Sequence, residues 1–220
     1  MSGKGRITYN LIAGTSVERL AALSDGIFGV AMTLLLLDLH VPAREVIDSN
    51  AKLWHALGVL LPDLLVHLMS FLTLGIFWVG QQTQLNHLER SNRQLTWIHL
   101  GFLFLVTLLP FSTRLLAEFT AFPAALVVYW LNILLFGVAL YAAWGKARRD
   151  KLIKDDLADE TQAAICRRIV IAQSVYAFGA ALCLISTYAS IVVFLLMQLN
   201  YVFAPGEWMR RKPGQGQPRG

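Results

Sequence analysis

The chain has 220 residues, 56% of them hydrophobic and only 15% charged, with a formal net charge of +5. Soluble domains carry about 25% charged residues, so the composition excludes an ordinary water-soluble protein and fits one that is apolar outside as well as inside. The positive balance would suggest nucleic acid in a soluble protein. Here its distribution along the chain matters more, and no nucleic-acid partner follows from it.

Residues 1–18 are polar and predict a short cytosolic arm. Lys4 and Arg6 imitate the start of a signal peptide, but the first long apolar run begins only at Leu20. It is longer than the roughly 7 to 15 apolar residues of a signal, so a retained helix is predicted over 19–41. About 20 helical residues cross a bilayer core. Arg19, Asp25 and Asp38 lie towards the ends of this run, where a charge costs less than the roughly 2.5 to 3.5 kcal/mol of mid-membrane. Its middle offers Val30, Thr33, Leu34 and Leu37.

Beyond Pro42, Leu53, Trp54, Leu57, Leu60 and Leu61 recur at helical spacing, which predicts a short interfacial helix with Trp54 at headgroup depth. Pro62 suits the first turn of a second span over 62–87. The third span is predicted over 94–116, with a kink near Pro110, whose ring displaces a backbone hydrogen bond. Pro123 opens a fourth over 123–146. Residues 146–168 hold most of the interior charge and read as a water-facing helical extension. Their basic residues are taken as a topology determinant ahead of a lipid-headgroup site. A fifth span over 168–187 and a sixth over 188–203 leave room only for a tight turn, and 205–220 predict a disordered cytosolic tail.

The fold class expected is therefore an all-α integral membrane protein with six transmembrane helices, domain limits 19–204, and both termini on one side. Sixteen of the 19 Lys and Arg residues fall on that side, with Arg44, Lys52 and Arg114 opposite. By the positive-inside rule both termini are cytoplasmic, and the expected location is the plasma membrane.

No Gly-rich phosphate loop, Gly-x-Ser-x-Gly elbow or His-Glu-x-x-His occurs, so neither an enzyme nor a resident cofactor or metal is expected. The five histidines lack ligand spacing, and Cys166 and Cys183 read as buried inert thiols. Asp63 and His67 are four apart on one helical face, read first as a structural pair and second as a proton-relay element.

Projected at 100° per residue, the first helix divides. Val30, Leu34 and Leu37 share a stripe that Leu23 and Ile27 extend. Ala22, Gly26, Gly29 and Thr33 form a small-residue stripe beside it, of the kind that lets helices approach closely in a membrane. This suits a helix packed against copies of itself around an axis, though pattern alone fits an ordinary buried helix slightly better. Asp25 lies on another side, about 120° from Arg19, so each should meet polar groups of neighbouring helices. Gln81, Gln82, Gln84 and His99 lie at the right depth for Asp25, whose carboxylate must be satisfied. It reads as an anchor of the first helix.

Arg19-x-x-x-Leu23-Ser24-Asp25-Gly26, followed by Thr33-Leu-Leu-Leu-Leu-Asp38 and Val41-Pro42, resembles the transmembrane protein 175 family of potassium channels in its bacterial form. The family signature is Arg-x-x-x-Phe-Ser-Asp, and Leu23 replaces its Phe. Ser70-Phe71, Phe77-Trp78 and the run from Leu109 to Arg114 are also similar to the family. Gln81, Gln82 and His99 stand where many members carry other polar residues. The resemblance implies a homotetramer of six-helix subunits, the first helix of each lining the pore. It further implies an apolar constriction, the first layer five residues past the motif Asp at Val30 and the others at Leu34 and Leu37. A hydroxyl layer corresponds to Thr33. The permeant ion would be potassium, and selectivity over sodium should be modest. Val30 is smaller than the family's usual isoleucine, which implies a wider neck.

Two further readings stand beside this one. A proton path could use Asp25, Asp38, His40 or the Asp63/His67 pair. A secondary transporter or membrane scaffold is less well matched, because no paired repeats or broken helices are visible.

Overall fold

The computed structural model describes residues 16–37, 39 and 47–203. Among them the chain is all-helical apart from one isolated backbone bridge. The helices are α1 (Val17–Leu37), α2 (Asn50–Val59), α3 (Leu61–Asn86), α4 (Arg93–Glu118), α5 (Pro123–Arg149), α6 (Asp159–Ala181) and α7 (Thr187–Phe203), with a 3-10 turn at Leu182–Leu184 between the last two. Five of them are long and apolar enough to cross a membrane, the fifth counted through Leu184, and α7 is a shorter apolar helix. The arm before residue 16, Asp38, His40, Val41, Pro42 and the tail from 204 lie outside the described residues.

Local chemistry sets the helix limits. Ser49 caps α2 by accepting from the Lys52 amide, and Asn92 Oδ1 accepts from the Leu95 amide at the start of α4. Each satisfies one amide that the helix leaves free. Pro62 and Pro123 occupy first turns of α3 and α5, where the missing N–H is not needed. The end of α5 is a left-handed cap at Lys151, φ 52°. Leu152 N–H donates to Ala147 O and Lys151 N–H to Arg148 O, the paired bonds of a Schellman motif in which glycine is the usual residue.

One limit differs from expectation. The fifth long helix begins at Asp159, not 168, and gives way to 3-10 geometry at Leu182. Its first turns face water, so an apolar criterion does not register them. Helix α4 runs unbroken through Pro110. Ser112 and Thr113, just beyond, turn their hydroxyls back onto Leu109 O at 3.0 and 2.8 Å, so both polar side chains are satisfied within their own helix.

The core is a bundle in which α1 packs on α3 and α4, α4 on α5, and α7 on α3 and α6. A run of rings joins these layers: Phe28 to Phe102 at 5.9 Å, Phe102 to Phe136 at 5.7 Å, and Phe136 edge-on to Phe77 at 4.9 Å. A separate cluster closes the end where α1 begins, with Leu20, Leu85, Leu88, Leu95, Trp144 and Ile153. There the α3–α4 turn pairs with the α5–α6 connection through the Leu88–Ile153 bridge. Gly179 lets α6 approach α7, since a Cβ there would stand 2.6 Å from the Phe194 ring.

Candidate functional site

Helix α1 has two unlike faces. Leu20, Ser24, Phe28, Ala31 and Leu35 are buried against the rest of the subunit. Ser24 Oγ donates to Leu20 O and accepts from Gln81 Nε2 at 3.0 Å, and Gln81 Nε2 also lies 3.4 Å from His99 Nδ1. Asp25 Oδ1 accepts from Trp78 Nε1 at 2.8 Å and from Gln82 Nε2 at 2.6 Å. The structure thus brings Ser24, Gln81 and His99 into one buried chain, and Asp25, Gln82 and Trp78 into an exposed cluster beside it. A carboxylate holding two N–H donors is shielded from the cost of its place in a membrane, because charged hydrogen bonds are the strong ones.

The opposite face is left largely uncovered by its own subunit. Val30 is 58% exposed, Leu34 43% and Leu37 75%. Leu23, Gly26, Gly29 and Thr33 are exposed with them. Leu23, Gly26, Val30 and Leu34 line an open hollow of about 380 Å³ whose far wall is Thr107 of α4. Thr33 Oγ1 donates to Val30 O at 2.8 Å. That bond uses the hydroxyl proton and leaves the oxygen lone pairs to accept.

Several expectations need correction. Arg19 is exposed in the first turn and stays outside the polar chains, where water and headgroups satisfy a guanidinium without a partner helix. Gln84 turns away from α1 and donates to Leu140 O of α5 at 3.2 Å. His67 Nδ1 lies 2.7 Å from the Asp63 backbone carbonyl, so the contact within that pair is to the main chain and not to the carboxylate. Asp38 and His40 lie outside the described residues. No group of three or more His, Cys, Asp or Glu side chains that could hold a metal occurs among the described residues.

Sequence reasoning missed Trp78 as the second donor to Asp25. It also missed a buried hydroxyl and amide cluster in the middle of the subunit. Tyr129 OH lies 3.3 Å from Ser70 and 3.1 Å from Thr73, Thr113 Oγ1 lies 2.8 Å from Ser70, and Gln198 donates to Thr73 at 2.8 Å. The spacing of Ser70 and Thr73 on one helical face was the available signal.

Comparison with known proteins places these features. The family profile described as the endosomal/lysosomal potassium channel TMEM175 matches residues 19–110, which begin at the motif arginine. A potassium channel of Streptomyces collinus is 32% identical over 190 residues, 84% of this chain and 91% of that protein. The chain belongs to the TMEM175 family. A potassium channel of Chamaesiphon minutus is 29% identical over 187 residues, 83% of this chain and 92% of that one. The crystal structure of a homologue, from the same organism, of the lysosomal potassium-selective channel TMEM175 superposes with a TM-score of 0.73 at 27% identity, covering 86% of this chain and 98% of that chain. The bovine member is named an endosomal/lysosomal proton channel; it is 31% identical over 121 residues, 53% of this chain and 25% of its own length. TMEM175 proteins are membrane-spanning cation channels, not enzymes.

Proposed function

We propose that this TMEM175 chain is one subunit of a homotetrameric, potassium-permeable channel, with α1 of each subunit lining a central pore. The observation that carries the reading is the uncharged, uncovered face of α1, set opposite a face tied down by Ser24 and Asp25. Val30, Leu34 and Leu37 recur on that face one turn apart and would form stacked apolar rings around an axis. A ring of this kind can close a pore by dewetting without sealing it. An ion passing it loses part of its water shell, at a greater cost for sodium than for potassium. Four Thr33 oxygens, their protons already donated to Val30 carbonyls, would replace some of that water. Selectivity from such a site is modest. A single subunit is too small to enclose the path. The chain is read as a plasma-membrane protein with both termini cytoplasmic, an orientation supported by the sixteen basic residues that six spans put on one side.

Planar-bilayer recording tests this reading. Val30→Ala should raise the open current and weaken potassium over sodium selectivity, and unchanged currents would remove α1 from the pore.

A second reading, proton conduction, is favoured by one observation: the Asp25 carboxylate is an ionisable group exposed on α1, and vertebrate relatives are named proton channels. Reversal potentials that follow the proton gradient in potassium-free solution would establish it. Their absence would leave potassium as the permeant ion.

A further inference from the structure

Outside the α1 site, one hollow gathers cationic and apolar groups at a helix end. Because α4 and α5 are consecutive and packed side by side, the first turn of α4 lies beside the last turn of α5. Arg93 and Gln94 from α4 and Lys146 from α5 share a hollow of about 390 Å³ with Trp97 and Ile98. Its lining thus combines two cations with an indole.

The details suit a lipid rather than a protein partner. Lys146 Nζ lies 3.1 Å from Asp150 Oδ2, which fixes the ammonium at the mouth, while the Lys146 side chain remains 27% exposed. Asp150 Oδ2 is also held by Asn92 Nδ2 at 2.6 Å, which ties the start of α4 to the end of α5. Trp97 is 63% exposed one turn further along α4. Tryptophan at this position is an interfacial residue, ring towards the acyl region and N–H towards the headgroups. Beyond it Phe104, Leu108 and Phe111 continue an exposed apolar stripe at helical spacing, with Gly101 leaving a gap beneath the indole. The sequence of surfaces is charge, indole, then hydrocarbon, the order met by a phospholipid from headgroup to chain.

We propose that this hollow binds the phosphate of an anionic phospholipid, gripped between Arg93 and Lys146, with an acyl chain along Trp97 and Phe104. The site is independent of whether α1 lines a pore. Its neighbours Leu95, Ala143, Trp144 and Ala147 belong to the same closing cluster as Leu20 of α1, so an occupied site would brace the end from which α1 starts.

Native mass spectrometry of the full chain, taken from phosphatidylcholine bilayers with and without phosphatidylglycerol, tests the site. Retained phosphatidylglycerol should bind on the order of tenfold more weakly to the Arg93→Gln/Lys146→Gln double variant than to the wild type, since each basic contact contributes measurably at a membrane surface. Lys52→Gln, a cation outside the hollow, should change nothing. Equal retention by wild type and double variant overturns the proposal. Displacement of the lipid by inorganic phosphate or glycerol phosphate also overturns it, by assigning the hollow to a free anion. If the double variant does not fold, quenching by brominated lipids decides the matter on the wild type, with Trp97→Phe identifying the contribution of that indole among six tryptophans. Brominated phosphatidylglycerol should quench Trp97 more than brominated phosphatidylcholine does. Equal quenching by the two overturns the lipid site.

Discussion

The two faces of α1 differ in what they ask of the protein. On the inner face Ser24 and Asp25 meet Gln81, Gln82 and Trp78, and Phe28 enters the run of rings through Phe102. On the outer face Val30, Leu34 and Leu37 stay largely exposed in their own subunit. Ser24 and Asp25 of the family motif hold the helix, and the residues left over for an ion are uncharged. This division of labour follows from solvation. A carboxylate in a membrane draws every nearby donor to itself, whereas an apolar ring makes no such demand and can face a narrow water column.

The comparison is broken most severely from the inner side. Phe102 is fully buried between Phe28 and Phe136, and Phe102→Ala should cost about 3 to 5 kcal/mol. Thermal unfolding in detergent should show a large fall in midpoint. On the outer face, Val30→Asn should raise potassium current severalfold with an unfolding midpoint close to wild type, because Val30 packs on nothing that the change would disturb. Gln81→Leu separates the faces more gently. It removes the bond to Ser24 and should lower stability by about 1 kcal/mol, leaving the potassium reversal potential unchanged. Smallest is Lys151→Gly at the cap of α5, a stabilisation of about 1 kcal/mol or less, seen as a slight rise in midpoint with no effect on current.

Much of the architecture is legible in apolar runs and their punctuation. Pro62 and Pro123 announce helix starts because their chemistry is local. The expected helical extension over 146–168 is right for the charged first turns of α6 but not for 150–158, where turns and the Leu88–Ile153 bridge part α5 from α6. At the site, depth along the helices suggested Gln81 and Gln82 as neighbours of α1, and the structure adds which glutamine meets which residue. Depth could not decide Gln84, which points to α5 because its azimuth on α3 differs. Trp78 was hidden by its apolar ring, although its N–H must find an acceptor. Lipid-facing and pore-facing side chains are both apolar, so periodicity could not assign the Val30 face. A single subunit leaves that face bare.

The central claim, that ions pass along this bare face, is tested most directly by cysteine accessibility during recording. Cys166 and Cys183 are first replaced, leaving no native thiols. Val30→Cys and Leu34→Cys channels should then lose potassium current on exposure to a water-soluble thiol reagent. Leu131→Cys, exposed on α5, should not. Block at Leu131→Cys with none at Val30→Cys or Leu34→Cys would place the ion path elsewhere and contradict the account.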